Sequence, residues 1–184
     1  MALDIDTIVE RFKATLAEHS PSLAARDVLD ELVADTAALD AALPAVERGG
    51  ITTLYNAEDL TVLRVVWTPG IVLNPHDHQM WAVIGLYGGV EDNAFYRRAG
   101  ATLEPAGGRE VSAGDVLVLG HDAIHSVSNT RREYAAAIHV YGGDFFGPGR
   151  SEWDDETFIE RPRDIEGIRR RFDEANQRWE AERG

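Results

Sequence analysis

The hydrophobic and polar positions change period twice along the chain, which divides it into a helical start, a long middle of short strands and a helical end. Apolar residues recur at helical spacing over 4–19 and over 22–43, and this spacing returns over 164–182. Between them lie short segments rich in β-branched and aromatic residues. The predicted strands cover 51–55, 60–68, 80–87, 93–98, 109–112, 115–119, 124–129 and 135–141.

Short strands separated mostly by Gly, Pro, Asn or Asp predict an antiparallel sandwich or barrel, and no long helix interrupts them as a parallel sheet would require. The segment GGDFFGPGRSEWDD, which begins at residue 142, predicts an irregular loop. We find no internal repeat or linker and therefore predict one domain, 1–184. A helical segment (1–48) packs outside a β-barrel (51–145) and is followed by a loop and a C-terminal helix (146–184).

Composition narrows the possible chemistry. The chain has 18 Lys and Arg against 32 Asp and Glu, a net charge of −14, which argues against nucleic-acid or membrane partners. Cysteine is absent, which removes disulfides, thiolate metal ligands and cysteine nucleophiles, and the one lysine, Lys13, argues against Schiff-base chemistry. The acidic start and the absence of an apolar run of about 20 residues indicate a cytoplasmic protein.

Histidines supply the first candidate site, because five of the six fall in the predicted β region. His76 and His78 are two residues apart, so on a strand both imidazoles point to one face. Taken alone, this spacing is explained equally well by a surface pair of histidines that flank Asp77. A third imidazole, from His125 at the start of another predicted strand, would complete three neutral nitrogen ligands with open positions left on a metal. His121 is the alternative third ligand, but it falls in the turn before that strand.

Two segments together resemble the metal motifs of the cupin superfamily. In the first motif, Gly70 is followed after five residues by His76 and His78, and Gly89 closes the motif. The glutamate usual in the family would fall at Ala82. The resemblance therefore implies a neutral three-histidine site, which leaves more charge on the metal for an anionic ligand such as a thiolate.

The second motif follows in the expected order. Gly114 is followed by a turn at Gly120 and Asp122, then by His125 and Asn129 at the family spacing, although the Pro and Gly usual in the turn are replaced. The resemblance implies a mainly β fold, the double-stranded β-helix or jelly-roll barrel. It also implies a metal held by three histidines, with a barrel that has lost its metal as the alternative.

A closer resemblance is to the cysteine dioxygenase, or thiol dioxygenase, family. The stretch from Trp67 to His78 resembles the metal motif of that family, with its Trp, the following Gly and H-D-H. The late-strand segment His139-Val140-Tyr141 resembles two members of its Ser-x-His-x-Tyr triad. The resemblance implies that the Tyr141 hydroxyl points at the iron-bound substrate and dioxygen while His139 orients it. The alternative is that both residues simply pack inside the barrel.

Three departures leave the substrate open. The triad serine is Ala137, the cysteine that crosslinks to tyrosine in some members is Val83, and the arginine two residues after Tyr55 that binds a carboxylate is Ala57. Arg64, which interrupts an apolar strand, is our first candidate for a replacement cation. Arg97 and Arg98 are further candidates for this cation. Met80 and Tyr55 are candidate residues of the substrate-binding site.

The resemblance implies a non-haem Fe(II)-dependent dioxygenase that oxidises a small thiol to a sulfinate, acting as a monomer or homodimer. Two alternatives keep the fold. One is an isomerase or hydrolase in which Zn, Mn or Ni activates water or polarises a carbonyl. The other is a cupin that binds a small molecule without catalysis.

Overall fold

The computed structural model describes residues 3–184, which form four helices and eleven strands. The helices are α1 (Ile5–Thr15), α2 (Pro21–Val33), α3 (Thr36–Ala42) and α4 (Ile165–Arg183). The strands are β1 (Gly50–Asn56), β2 (Thr61–Trp67), β3 (Val72–Asp77), β4 (Ala82–Gly88), β5 (Val90–Ala99), β6 (Thr102–Ser112), β7 (Val116–Leu119), β8 (Ile124–Ser128), β9 (Ala135–Tyr141), β10 (Ser151–Trp153) and β11 (Glu160–Pro162).

The strands form two antiparallel sheets that enclose the core. One sheet has the order β1-β2-β9-β4-β7 and the other β11-β10-β3-β8-β5-β6. Within β2 to β9, β2 pairs with β9, β3 with β8, β4 with β7 and β5 with β6. This nested pairing is a long hairpin wound into a double-stranded β-helix, or jelly roll. The predicted mainly β fold with N-terminal helices and a C-terminal helix is therefore confirmed.

Strand β3 was not among the predicted strands, although it carries the H-x-H pair. Its residues Asn74, Pro75 and Asp77 are poor strand formers, so the pattern of apolar residues did not reveal it. The structure accommodates Pro75 at a register shift between Leu73 and His76, where a proline does not break a regular ladder. The predicted helix over 22–43 is likewise two helices, because Asp35 accepts a hydrogen bond from Ala38 N and caps α3.

Strand β2 explains why the barrel is covered on both faces. Leu63, Val65 and Trp67 point into the barrel, whereas the alternate residues Val62 and Val66 face the N-terminal helices. All seven residues of β2 are buried as a result. The helices α1 to α3 therefore form an outer layer over one sheet, away from the histidines.

Helix α4 packs against β1 and β3, one strand from each sheet. Its Phe172 stacks on Trp67 with ring centroids 5.5 Å apart. Asn176 is buried and bonds Gly49 N at 3.0 Å and Thr68 Oγ1 at 2.7 Å. The helix thus bridges the two sheets and brings Ile168 to the barrel interior. No helix within 3–184 combines the length and apolarity needed to cross a membrane.

Gly85 sets the distance between α2 and the sheet, which gives a stability prediction. A Cβ at Gly85 would lie 2.5 Å from Leu29 Cγ and 3.0 Å from Val33 Cγ1. We expect Gly85→Ala to lower the free energy of unfolding by about 1–3 kcal/mol, since the helix must shift to relieve the overlap. Gly88→Ala on the same strand is the matched control, because its Cβ would meet its nearest neighbour at 3.7 Å. Urea unfolding of both variants provides the measurement, and equal losses in the two would contradict this account.

Candidate metal centre

Three histidines converge inside the barrel. His76 and His78 come from β3 and the residue that follows it, and His125 comes from β8, where it is the direct cross-strand partner of His76. Each offers one nitrogen, and these nitrogens lie within 4.8 Å of one another. All three side chains are at most 5% exposed. The structure therefore brings together the three predicted ligands.

The alternation of β3 separates the two histidines from the aspartate between them. Asp77 accepts hydrogen bonds from Gln79 Nε2 at 2.6 Å and Ser151 N at 2.9 Å. Its carboxylate is thus engaged outside the histidine group. Within residues 3–184, the group that could hold a metal here consists of three imidazoles and no carboxylate.

Hydrogen bonds fix which nitrogens face the centre. His76 Nδ1 lies 2.8 Å from Asn74 O, and His125 Nδ1 lies 2.8 Å from Asn93 Oδ1. A carbonyl oxygen only accepts, so both Nδ1 atoms carry the proton and both Nε2 atoms keep a free lone pair. His125 Nε2 is buried without a hydrogen-bond partner in the described residues. An orphaned lone pair aimed at two other imidazoles is the arrangement that a metal ion satisfies.

Burial keeps these imidazoles neutral, as metal ligands must be. Desolvation is the main cause that lowers the pKa of His76 and of His78 well below its ordinary value, and it lowers the pKa of His125 to about 3. The positive charge of Arg163 lowers the pKa of His76 and His125 further. Three neutral nitrogens suit a divalent transition metal better than Ca²⁺ or Mg²⁺, which prefer oxygen.

A buried carboxylate, that of Glu91, is linked to His125 through the side chain of Asn93. Glu91 accepts hydrogen bonds from Trp67 Nε1 at 2.6 Å and Asn93 Nδ2 at 3.0 Å. Because the Asn93 amide group donates to Glu91, its oxygen must face His125. Burial raises the pKa of the Glu91 carboxyl to about 7. Nothing in the sequence pattern indicated this chain of contacts from Trp67 to His125.

His139 and Tyr141 lie beside the three histidines, as predicted. His139 Nδ1 is 3.0 Å from Tyr141 Oη, and the Tyr141 ring is 5.0 Å from that of His78. Burial lowers the pKa of His139 to about 3 and raises the pKa of the Tyr141 phenol above its usual range. Both groups are therefore neutral near pH 7, and the phenol keeps its proton. Ala137, at the place of the missing serine, is fully buried in the barrel core.

These groups surround one small cavity of about 20 Å³, room for about one water molecule. Its walls combine the polar groups with apolar side chains. They are His76, His78, His125, His139, Tyr141, Arg163, Ile51, Leu63, Val65, Trp67, Leu73, Val127, Phe145 and Ile168.

Arg163 is the cation at this cavity. Its guanidinium lies 4.7 Å from the centre of the Phe145 ring, and Nη1 donates to Asp77 O at 3.3 Å. Its Nε is buried and has no hydrogen-bond partner in the described residues. Burial lowers the pKa of Arg163 to about 10, so the group remains charged at neutral pH. Nothing in the local sequence distinguishes it from the other arginines, because it lies between β11 and α4 and reaches the barrel only in the folded chain, where its backbone N donates to Arg150 O at 3.0 Å.

Arg64 requires a correction, since the structure places it away from the cavity. Leu63 and Val65 take the inward positions of β2, so the Arg64 side chain points toward the outer helices. There its Nε donates to Tyr87 Oη at 2.6 Å and its Nη2 to Pro44 O at 2.6 Å. The buried cation is satisfied by structural partners and does not reach the histidines.

The remaining candidates also lie elsewhere. Tyr55 packs in the layer under the helices, with Lys13 Nζ 5.3 Å from its ring centre. Met80 is buried in the barrel core but does not line the cavity. The other three are exposed on the surface. Arg97 forms an ion pair with Glu104 and Arg98 with Glu160, and His121 is hydrogen-bonded to Asp122.

No model of a known protein family matches the chain. It is similar to the structure of an uncharacterized conserved protein with a double-stranded β-helix domain from Klebsiella pneumoniae. The two sequences are 14% identical, and the match covers 60% of this chain and 83% of that chain with a TM-score of 0.46. A deletion mutant of oxalate decarboxylase from Bacillus subtilis has 18% identity over 58% of this chain and 28% of that chain, with a TM-score of 0.46. Recombinant oxalate oxidase in complex with glycolate is 18% identical over 58% of this chain and 55% of that chain, with a TM-score of 0.43. At these identities and TM-scores the similarities carry no conclusion about activity.

Proposed function

We propose that this protein is a non-haem Fe(II)-dependent dioxygenase that oxidises a thiol to a sulfinate. The observation that supports it most is the buried face of three neutral imidazoles without a carboxylate. A neutral ligand set leaves the charge of the ion available to an anionic thiolate. The reaction balances as R–SH + O₂ → R–SO₂H, in which the S–H and O–O bonds break and two S–O bonds and one O–H bond form. Sulfur is oxidised and dioxygen is reduced.

The residues around the cavity have separate roles in this proposal. His76, His78 and His125 would hold the ion, which when bound would supply coordination positions for the thiolate and dioxygen. Tyr141 supplies a hydrogen bond to a group in the cavity. When His139 Nδ1 carries the ring proton, it donates to Tyr141 Oη over 3.0 Å and leaves the phenol hydrogen free to donate into the cavity.

Arg163 gives the proposal a substrate preference. A half-buried guanidinium whose buried Nε has no partner in the described residues is a strong binding partner for a carboxylate. Asp77 O is its one protein acceptor in the described residues, and that contact is 3.3 Å long. We propose that Arg163 takes the role for which the sequence suggested Arg64, and that the thiol carries a carboxylate.

Oxygen consumption by the iron-loaded protein tests both steps. We expect cysteine or 3-mercaptopropionate to stimulate uptake more than 2-aminoethanethiol, which has no carboxylate. Arg163→Met retains packing on Phe145, and we expect it to lower kcat/KM for the acidic thiols about 10- to 100-fold, as for loss of a buried charged hydrogen bond. Its effect on 2-aminoethanethiol should stay within about threefold. Arg97→Met is the control, because Arg97 is exposed and paired with Glu104.

Two outcomes would count against the proposal. If none of these thiols stimulates uptake or perturbs the iron spectrum, the dioxygenase function is wrong. If protein purified without added metal carries zinc, manganese or nickel and no iron, a hydrolase or isomerase becomes the better explanation.

A further inference from the structure

A second, larger cavity lies directly outside the metal centre, between β1 and α4. Its volume is about 310 Å³, within the range of small-molecule binding pockets. We infer that this outer chamber holds an apolar group of the substrate, so that the substrate is larger and more hydrophobic than a free small thiol. Its apolar walls are Ile51, Phe145, Phe146, Ile165, Ile168 and Phe172.

The outer chamber and the metal cavity share three wall residues. Ile51, Phe145 and Ile168 line both, so these side chains form a shared wall between the two spaces. A molecule that lies in the outer chamber therefore needs to pass only one layer of side chains to reach the histidines.

Phe145 is the side chain whose movement would join the two spaces. Its backbone is fixed, because Phe145 N donates to Thr61 Oγ1 at 3.0 Å. Its ring packs against Tyr141 with centroids 4.6 Å apart on the inner side and against Phe146 at 5.2 Å. The inner cavity of about 20 Å³ has no room for a thiol, so substrate binding requires a wall residue to turn. Rotation of Phe145 away from Tyr141, so that its ring packs against an apolar ligand in the outer chamber, would open that room.

Charge determines which group fits the outer chamber. Two charged residues line it, Arg169 and Asp173, and both are exposed. Each already has a partner, Arg169 with Glu166 and Asp173 with Arg48. The chamber thus offers no buried charge to a ligand, whereas Arg163 offers one at the inner cavity. The substrate that matches both spaces has an anionic, reactive head and an uncharged aromatic or branched aliphatic group.

Ligand binding tests the chamber without any turnover. We expect the iron-loaded protein to bind 3-phenylpropionate at least tenfold more tightly than propionate by calorimetry, which corresponds to about 1.4 kcal/mol. Thr53→Trp should reduce this preference to less than threefold, because Thr53 is exposed on β1 and lines the chamber. Thr52→Trp is the matched control: it is exposed on the same strand, does not line the chamber and should keep the full preference. Equal affinities for the two acids in the unmodified protein would overturn the inference.

Turnover provides the second measurement, and this part rests on the proposed dioxygenase function. We expect kcat/KM for oxygen uptake to be at least tenfold higher with 2-benzyl-3-mercaptopropionate than with 3-mercaptopropionate. Ile165→Trp, which fills the chamber from α4, should remove that difference, whereas Ile159→Trp, on an exposed isoleucine outside the chamber, should not.

The two measurements separate the two hypotheses. Preferential binding of 3-phenylpropionate without oxidation of any thiol would support the chamber and contradict the proposed function. Oxidation of small thiols without a preference for the benzyl compound, or with a preference that Ile165→Trp leaves unchanged, would support the function and overturn the chamber.

Discussion

His125→Ala should lose the bound metal and, with it, the activity. The substitution removes one of three nitrogens that lie within 4.8 Å of one another, and no carboxylate among the described residues belongs to the group to replace it. Loss of a residue that merely orients a ligand costs about 10- to 100-fold in metal affinity, so we expect removal of the ligand itself to cost at least about 100-fold. Iron content after dialysis, and the rate of oxygen uptake with 3-mercaptopropionate, would measure the effect.

His121→Ala is the matched control for this prediction. His121 precedes His125 by four residues and was the alternative third ligand in the sequence, but it is exposed and paired with Asp122 at 2.8 Å. We expect it to keep the iron content and the rate of the unmodified protein. Loss of iron in His121→Ala with retention in His125→Ala would show that the ligand set is wrong.

The metal ligands could be found in the sequence because their geometry is local. Residues i and i+2 of a strand share a face whatever surrounds them, so His76 and His78 were predictable as a pair. The spacing of the glycines before His125 made His125 predictable as the third ligand. Its position opposite His76 depends on the pairing of β3 with β8, which only the resemblance to a known fold could suggest.

The cation and the carboxylate near the site were not predictable in the same way. Arg163 lies in the short connection between β11 and α4 and reaches the cavity only in the folded chain, and no periodicity near residue 163 encodes that contact. Arg64 was predicted to bind substrate because a charge in an apolar strand needs a partner. The structure shows that its partners are Tyr87 and Pro44. The physical argument for a partner was right, but the sequence could not tell which face of the sheet supplied it.

Glu91 was also not predictable from the sequence, and its burial has a consequence for the pH dependence of stability. It follows Val90 at the start of β5 and resembles an ordinary polar residue of a strand, yet it is fully buried behind Asn93 and His125. Burial raises the pKa of its carboxyl from 4.5 to about 7, although two hydrogen bonds oppose the shift. A raised pKa means that the neutral form is the one the folded protein favours.

The sign of the pH dependence follows from this shift. Below about pH 4.5 Glu91 is protonated in both the folded and the unfolded chain. Between pH 4.5 and 7 the unfolded chain releases the proton while the folded chain retains it, so the stability contributed by protonated Glu91 is lost progressively as pH rises toward 7. Above that pH both states are ionised and the loss is complete. A shift from 4.5 to about 7 corresponds to about 3 kcal/mol in the free energy of unfolding.

Glu91→Gln should therefore be increasingly stable, relative to the unmodified protein, as the pH rises from 5 to 8. Glutamine is neutral throughout. Its one side-chain oxygen can replace only one of the two carboxylate oxygens that accept from Trp67 Nε1 and Asn93 Nδ2, so the variant loses one hydrogen bond, a cost that does not change with pH. We expect the difference in the free energy of unfolding between variant and unmodified protein to rise by up to about 3 kcal/mol over this interval, most of it below pH 7.5. Urea unfolding of the metal-free proteins at half-unit pH steps would measure it, and the titration of the histidines cancels in the difference.

Glu58→Gln provides the baseline for this experiment, because Glu58 is exposed in the loop between β1 and β2. Its difference curve should remain flat from pH 5 to 8. A flat curve for Glu91→Gln as well would mean that the Glu91 carboxylate is ionised in the folded protein throughout this interval. In that case its hydrogen bonds to Trp67 and Asn93 outweigh the cost of its burial, and the chain of contacts behind His125 ends in a permanent negative charge.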